Sequence, residues 1–197
     1  KRVSNETAIH QKRVSIPSVA VADFAKQFFE RFDDKQVLVI GAGEMGEETL
    51  RYLIDEGARN ITLVNRSRHR AEELAKRVAG VVLPWDDLHQ QLVQADLVIS
   101  TTGATEPIIS EADFQPIEHQ RAQFVLDLAV PRDFDPAVGR RLGVYLYSVD
   151  DLEKACESNR RAREKEWPKA ERIIDLETER FMAELHHRAT GPTIRRL

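Results

Sequence analysis

The chain carries a single cysteine, Cys156, so no internal disulfide can staple it, and the composition fits a reducing compartment. No apolar run approaches the ~18 residues that a membrane-spanning helix needs, and no secretory signal peptide is visible. Neither sign of charge is in large excess. The 29 Lys and Arg against 33 Asp and Glu leave −4, which gives no overall reason to expect nucleic acid. The six histidines are scattered, except His186 and His187, which are adjacent and cannot share a helix face, so no metal site is expected. Glycine is missing between Ser148 and Gly191. Position 1 is Lys rather than Met, and the expectation is a fragment or a processed product. What is present is ordinary for a globular fold: 197 residues with 42% hydrophobic content suit one sizeable domain plus an appendage.

Gly41-Ala42-Gly43-Glu44-Met45-Gly46 follows the apolar run Val37-Leu38-Val39-Ile40 and opens into a helical stretch reaching Glu56. The same glycine spacing occurs in ordinary turns, but a strand before it, a helix after it and a second strand about twenty residues on point to dinucleotide binding. In that role Gly41 permits the tight turn, Gly43 lets the backbone approach a pyrophosphate, and Gly46 lets the helix pack closely on the sheet. The helix N-terminus presents N–H groups and a favourable dipole to phosphate.

The second strand, Ile61-Thr62-Leu63-Val64, ends in Asn65-Arg66-Ser67-Arg68, with Arg70 beyond. An NAD site usually places Asp or Glu here to accept from the ribose 2′-hydroxyl. Arg66 can instead stack on adenine and pair with a 2′-phosphate, while Asn65 and Ser67 can donate hydrogen bonds, so NADPH is expected over NADH.

The pattern predicts an α/β fold with a doubly wound parallel sheet. Further apolar strands fall at 81–83, 96–100, 124–128 and 144–147, separated by helices near 68–78 and 85–93 and a short helical turn after Pro136. Residues 1–17 read as a linker or the tail of a preceding domain. Residues 18–147 form the Rossmann-like domain, led by a helix from Ser18 to Phe32 with Val21, Phe24, Ala25, Phe28 and Phe32 on one face. From 148 to 197 a long helix is expected, begun by a capping-box-like Ser148 and Asp151. At 1.5 Å per residue its glycine-free stretch of about forty residues would extend about 60 Å, which requires it to project from the sheet, and Pro168 should kink or restart it. Its second half places Ile174, Phe181, Met182 and Leu185 on one side and needs a partner that the chain does not obviously contain.

In such folds ligands meet the carboxyl ends of the strands. There, Thr101-Thr102-Gly103 after the fourth strand could border the ribose or nicotinamide. After the fifth strand, Arg132 and Asp133 read as a salt-bridged structural turn set by Pro131. Cys156, in the long helix with no histidine near it in sequence, is a poor nucleophile. Arg160, Arg161 and Arg163, followed by Glu164 and Glu166, read as a solvated face. No residues supply a complete catalytic set.

Taken together, Lys1-Arg2-Val3 with Glu6-Thr7, Val14-Ser15, the glycine loop, Asn65-Arg66-Ser67, Asp127-Leu128-Ala129-Val130-Pro131-Arg132-Asp133 and Tyr145 to Leu152 resemble the glutamyl-tRNA reductases. The resemblance runs from end to end. It implies an N-terminal catalytic domain, an NADPH domain and a helical dimerisation domain strung along a spinal helix. It also implies the chemistry: a cysteine of the catalytic domain attacks the ester of glutamyl-tRNA, and NADPH reduces the thioester to glutamate-1-semialdehyde, the first step of tetrapyrrole synthesis. The catalytic domain and most of the dimerisation domain are missing from this sequence, so Ser4-Asn5-Glu6-Thr7 is not the nucleophile motif and the chain alone is expected to be inactive. The implied partners are glutamyl-tRNA, a second copy in the full-length protein and glutamate-1-semialdehyde aminotransferase, with no membrane, in the cytoplasm or a plant's plastid stroma. Two other readings stay open: a shikimate-dehydrogenase-like NADP oxidoreductase, which would need a substrate domain with its own Lys and Asp, and a non-catalytic nucleotide-sensing module.

Overall fold

A computed structural model describes residues 1–10, 12–114 and 122–194; the end of the expected long-helix segment, 195–197, lies outside them. Two compact units emerge, Ser15–Cys156 on one hand and Lys1–Val14 with Glu157–Leu197 on the other.

The first unit is built on six strands: β1 (Gln36–Ile40), β2 (Asn60–Val64), β3 (Val81–Leu83), β4 (Leu97–Ser100), β5 (Gln123–Asp127) and β6 (Val144–Ser148). All neighbours pair in parallel in the order β3-β2-β1-β4-β5-β6, which is the doubly wound arrangement expected. Alternate residues of each strand point to opposite faces, so one sheet yields two cores. Val37, Val39, Leu63, Ile99 and Leu126 face one cluster, and Leu38, Ile40, Val64, Val98 and Val125 face the other. In β1, Val37 through Ile40 are all buried, the mark of a strand covered by helices on both sides.

The leading helix differs from expectation at both ends and in the middle. Ser15, not Ser18, is its N-cap, and the Ser18 hydroxyl donates back to the Ser15 carbonyl (2.9 Å). It is helical as α2 (Ile16–Val19), widens to a π-helical stretch over Ala20–Ala25, and closes as α3 (Lys26–Phe28). Phe29 is already extended. Consecutive helical residues point ~100° apart, whereas here Phe28 and Phe29 both reach Phe124, with ring centroids at 5.4 and 6.1 Å. Aromatic packing on β5 therefore ends the helix before Phe32.

Three further helices flank the sheet: α4 (Glu44–Asp55), α5 (Arg68–Val78) and α6 (Leu88–Gln94). The long α7 (Val149–Ile194) starts as its sequence suggests. Asp151 reaches back to the Ser148 N–H (3.0 Å) and hydroxyl (2.7 Å). Its opening turns pack Leu152 and Cys156 into the sheet unit's core.

In the second unit α7 runs through Pro168 without a break. Proline removes one N–H and crowds the preceding turn, but Pro168 lies on the exposed side, where water can serve the orphaned carbonyl. The turns around it are tied down. Glu166 accepts from the Ala8 N–H (3.0 Å), and Ala170 and Ile173 are buried. The one-turn helix α1 (Arg2–Glu6) joins through Arg2, whose guanidinium pairs with Glu6 (2.7 Å) and Glu177 (2.6 Å), and Asn159 donates to the Arg13 carbonyl (2.9 Å). No described helix is long and apolar enough to cross a membrane.

Candidate functional site

At the carboxyl ends of the strands a cavity of about 440 Å³ is lined by Gly41, Ala42, Gly43, Asn65, Arg66, Arg70, Trp85, Thr101, Thr102, Gly103 and Ala104. It lies where the strand order reverses between β1 and β4, the place at which doubly wound sheets hold ligands.

The floor is the glycine loop. Gly41 has φ +95, a conformation side chains resist, and a Cβ there would stand 2.7 Å from the Thr101 carbonyl oxygen. At Gly43 it would meet the same oxygen at 3.0 Å. Only glycine lets the two loops close this tightly, which leaves backbone rather than side chains facing the cavity. Gly43 is the N-cap of α4 without a side-chain cap bond, so the first-turn N–H groups are open to an anion. Of the other expected residues in this loop, exposed Glu44, core-packed Met45 and buried Gly46 do not line the cavity. Gly46 instead accommodates Thr101, whose Cγ2 would be 2.7 Å from an added Cβ.

The loop after β2 contributes the positive charge. Arg66 and Arg70 face the cavity, and none of the described residues lining it is acidic. Arg68 is diverted to Glu72 (2.8 Å). Among the described residues no carboxylate pairs with Arg66 or Arg70. Asn65 lines the cavity, but its amide donates to the Ser67 carbonyl (2.8 Å), so it ties the loop together. Ser67 is the N-cap of α5 and does not line the cavity. The ring of Trp85 was not anticipated. It lies under Arg66, with the guanidinium 5.2 Å from its centroid. Trp85 follows β3 after Pro84, so the rule that ligands meet the carboxyl ends of the strands applies to it as it does to the residues after β1, β2 and β4.

The third wall, Thr101 to Ala104, is set from beneath by a buried aspartate. Asp133 accepts from the Ser100 hydroxyl (2.6 Å), the Thr102 N–H (2.9 Å) and the Thr102 hydroxyl. It does not form the surface ion pair expected of Arg132 and Asp133. Arg132 pairs with Asp150 (2.5 Å), while Asp133 turns inward and is fully buried. A buried carboxylate needs donors, and the hydroxyls and N–H at the end of β4 supply them. Asp127 holds the turn that carries Asp133 by accepting from the N–H groups of Ala129 (3.2 Å), Asp133 (3.2 Å) and Phe134 (3.0 Å). Burial raises the Asp127 carboxyl above its ordinary range; those three donors oppose the rise and the neighbouring Asp133 adds to it.

Comparison with known proteins places this geometry. The family model described as shikimate/quinate 5-dehydrogenase matches residues 23–155. The chain is homologous over its whole length to glutamyl-tRNA reductases: it is 53% identical to the one from Rhodopirellula baltica, covering 100% of this chain and 47% of that protein. Against the one from Thermodesulfovibrio yellowstonii identity is 42%, over 98% of this chain and 46% of the relative. The chain thus spans about half the length of these curated relatives. Among solved structures, glutamyl-tRNA reductase from Methanopyrus kandleri superposes with a TM-score of 0.84 at 35% identity, over 92% of this chain and 46% of that one. The nucleotide binding domain of the Thermoplasma volcanium enzyme matches at 0.60 and 21%, over 77% and 98%, a likeness of fold. The fold is that of dehydrogenase nucleotide-binding domains.

Proposed function

The chain belongs to the shikimate/quinate 5-dehydrogenase family, and on that premise we propose that it is the NADPH-holding part of a glutamyl-tRNA reductase. The whole protein would reduce glutamyl-tRNA to glutamate-1-semialdehyde with a nucleophile outside this chain. Identity along the full length to glutamyl-tRNA reductases favours this over a shikimate-dehydrogenase-like activity.

The observation that carries the cofactor choice is the end of β2, where two arginines with no carboxylate partner among the described residues face the cavity. NADPH, when bound, supplies a hydride. The chain's own residues would do the holding. Gly41 to Gly43 and the start of α4 would receive the pyrophosphate through backbone N–H groups, Arg66 and Arg70 would pair with the 2′-phosphate, and Thr101 to Gly103 would border the nicotinamide end. Partners and place follow from the same proposal: glutamyl-tRNA and a second copy met by the full-length protein, in the cytoplasm or, in a plant, the plastid stroma.

Calorimetric titration of the chain with NADPH and NADH tests the reading. Arg66→Asp should lower NADPH affinity roughly ten- to a hundredfold by exchanging a charged donor for a repelling carboxylate, and should leave NADH much less affected. An unchanged preference removes the argument, and glutamyl-tRNA turnover by the chain alone overthrows the division of labour.

A further inference from the structure

We infer that Trp85 is a specificity-determining residue of this cavity: its indole face holds the Arg66 guanidinium where it can meet a phosphorylated ribose. The inference rests on the NADPH reading above. Trp85 opens a single 3₁₀ turn, Trp85–Asp87, separated from β3 only by its N-cap Pro84. It is half-buried and packs against the core cluster of Leu38, Ile40 and Val64, so the ring is held from behind. Arg66 is exposed at the end of the neighbouring strand. Its guanidinium carbon lies 5.2 Å from the ring centroid, inside the ~6 Å reach of a cation–π contact.

The consequence lies in what stacking leaves available. A guanidinium laid on an aromatic face keeps its N–H donors in its own plane, directed past the ring edge, and so remains able to take a phosphate. Without the ring, a long side chain on an exposed loop would have to be ordered by the ligand itself, at the cost of its rotamer freedom. Arg68, two residues on, is already held by Glu72, and a carboxylate partner of that kind would neutralise the charge that a phosphate needs. Trp85 orients the cation without neutralising it. Only a ligand bearing the 2′-phosphate gains from this, so the ring contributes to discrimination and not to general affinity. Direct stacking of adenine on Trp85 would favour NADPH and NADH equally, and the two cases separate experimentally.

The test is calorimetric titration of the 197-residue chain and its Trp85→Ala, Trp85→Phe, Arg66→Ala and Trp85→Ala/Arg66→Ala variants with NADPH and with NADH. Trp85→Ala should weaken NADPH about three- to tenfold and NADH by less than about twofold, with Trp85→Phe keeping most of the affinity because it keeps a π-face. In the Arg66→Ala background Trp85→Ala should change nothing further, because the two residues act as one unit. Equal losses for both cofactors, or the same loss with Arg66 already gone, overturn the inference in favour of contact with the base. Unchanged NADPH affinity in Trp85→Ala overturns it outright. A wild-type chain that binds no NADPH sinks the cofactor reading itself, an outcome distinct from a wild-type chain that binds NADPH and is indifferent to Trp85.

Discussion

Replacing Gly41 with alanine should cost the sheet unit about 2–6 kcal/mol, through two contributions that the structure allows to be separated. The first is conformational. At φ +95 a residue with a Cβ is held outside its favoured regions, which costs about 1–3 kcal/mol. The second is steric. The new Cβ would lie 2.7 Å from the Thr101 carbonyl oxygen and 2.9 Å from its carbon, and that backbone is pinned by the bond from the Thr101 N–H to the Ile40 carbonyl (2.8 Å). Forcing such a contact apart costs about 1–3 kcal/mol more. Two other glycines serve as controls. Gly57 has φ +103 and no atom within 4 Å of an added Cβ, so Gly57→Ala isolates the conformational contribution. Gly103 has neither a positive φ nor a neighbour within 4 Å, so Gly103→Ala should be neutral or stabilise by a few tenths of a kcal/mol by restricting the unfolded chain. Urea unfolding followed by circular dichroism gives the three midpoints, and thermal melts should show shifts of about 2–4 °C per kcal/mol at this chain length. The expected order of loss is Gly41, then Gly57, then Gly103, with Gly41 exceeding Gly57 by about 1–3 kcal/mol. Coincident midpoints for Gly41→Ala and Gly57→Ala would refute the close approach of the glycine loop to the end of β4.

Other perturbations test separate parts of the same account. Asp133→Ala should destabilise by about 3–5 kcal/mol in urea unfolding, because it removes a buried carboxylate and strands the Ser100 and Thr102 donors; a loss below about 1 kcal/mol would mean that Asp133 does not organise the loop. Asp151→Ala should cost about 1 kcal/mol at neutral pH as a lost helix cap. Burial opposes ionisation of Asp151, yet the Ser148 N–H and hydroxyl, then Lys154 and Arg132, outweigh it and hold the carboxyl below its ordinary 3.8. A depressed folded value means that the stabilisation is complete above pH 3.8 and disappears as pH falls through the lower folded value, so Asp151→Asn should flatten the acid limb of a stability profile. Asp127 works in the opposite sense: with its carboxyl raised, its contribution is complete below 3.8 and declines as pH rises through the folded value. Pro168→Ala should raise the stability of the helical unit, by up to ~3 kcal/mol if the proline carries its full helix penalty, seen as a higher melting temperature; a lower one would show that the proline is needed where it stands.

Much of this protein is decided by patterns local in the chain. Short apolar runs at regular intervals, each bounded by turn residues and followed by a helical period, dictate six parallel strands, since β-branched and leucine-rich segments covered on both faces have no other stable use. The glycine spacing after β1 and the arginine in place of a carboxylate after β2 are equally local, because turn conformation and charge belong to the residues themselves. Contacts between distant segments are different. Trp85 beneath Arg66, Thr101 against three glycines some sixty positions earlier, and Asp133 turned inward to Ser100 and Thr102 depend on strands that meet only when the sheet assembles. The leading helix stops at Phe28 because Phe124 lies across from it, and the long helix passes Pro168 because flanking turns are anchored elsewhere. Propensities of about 1–3 kcal/mol yield where tertiary packing supplies more. The sequence by itself determined the sheet, the glycine loop and the sign of charge beside it; the tertiary structure decided which side chains hold that loop and that charge in place.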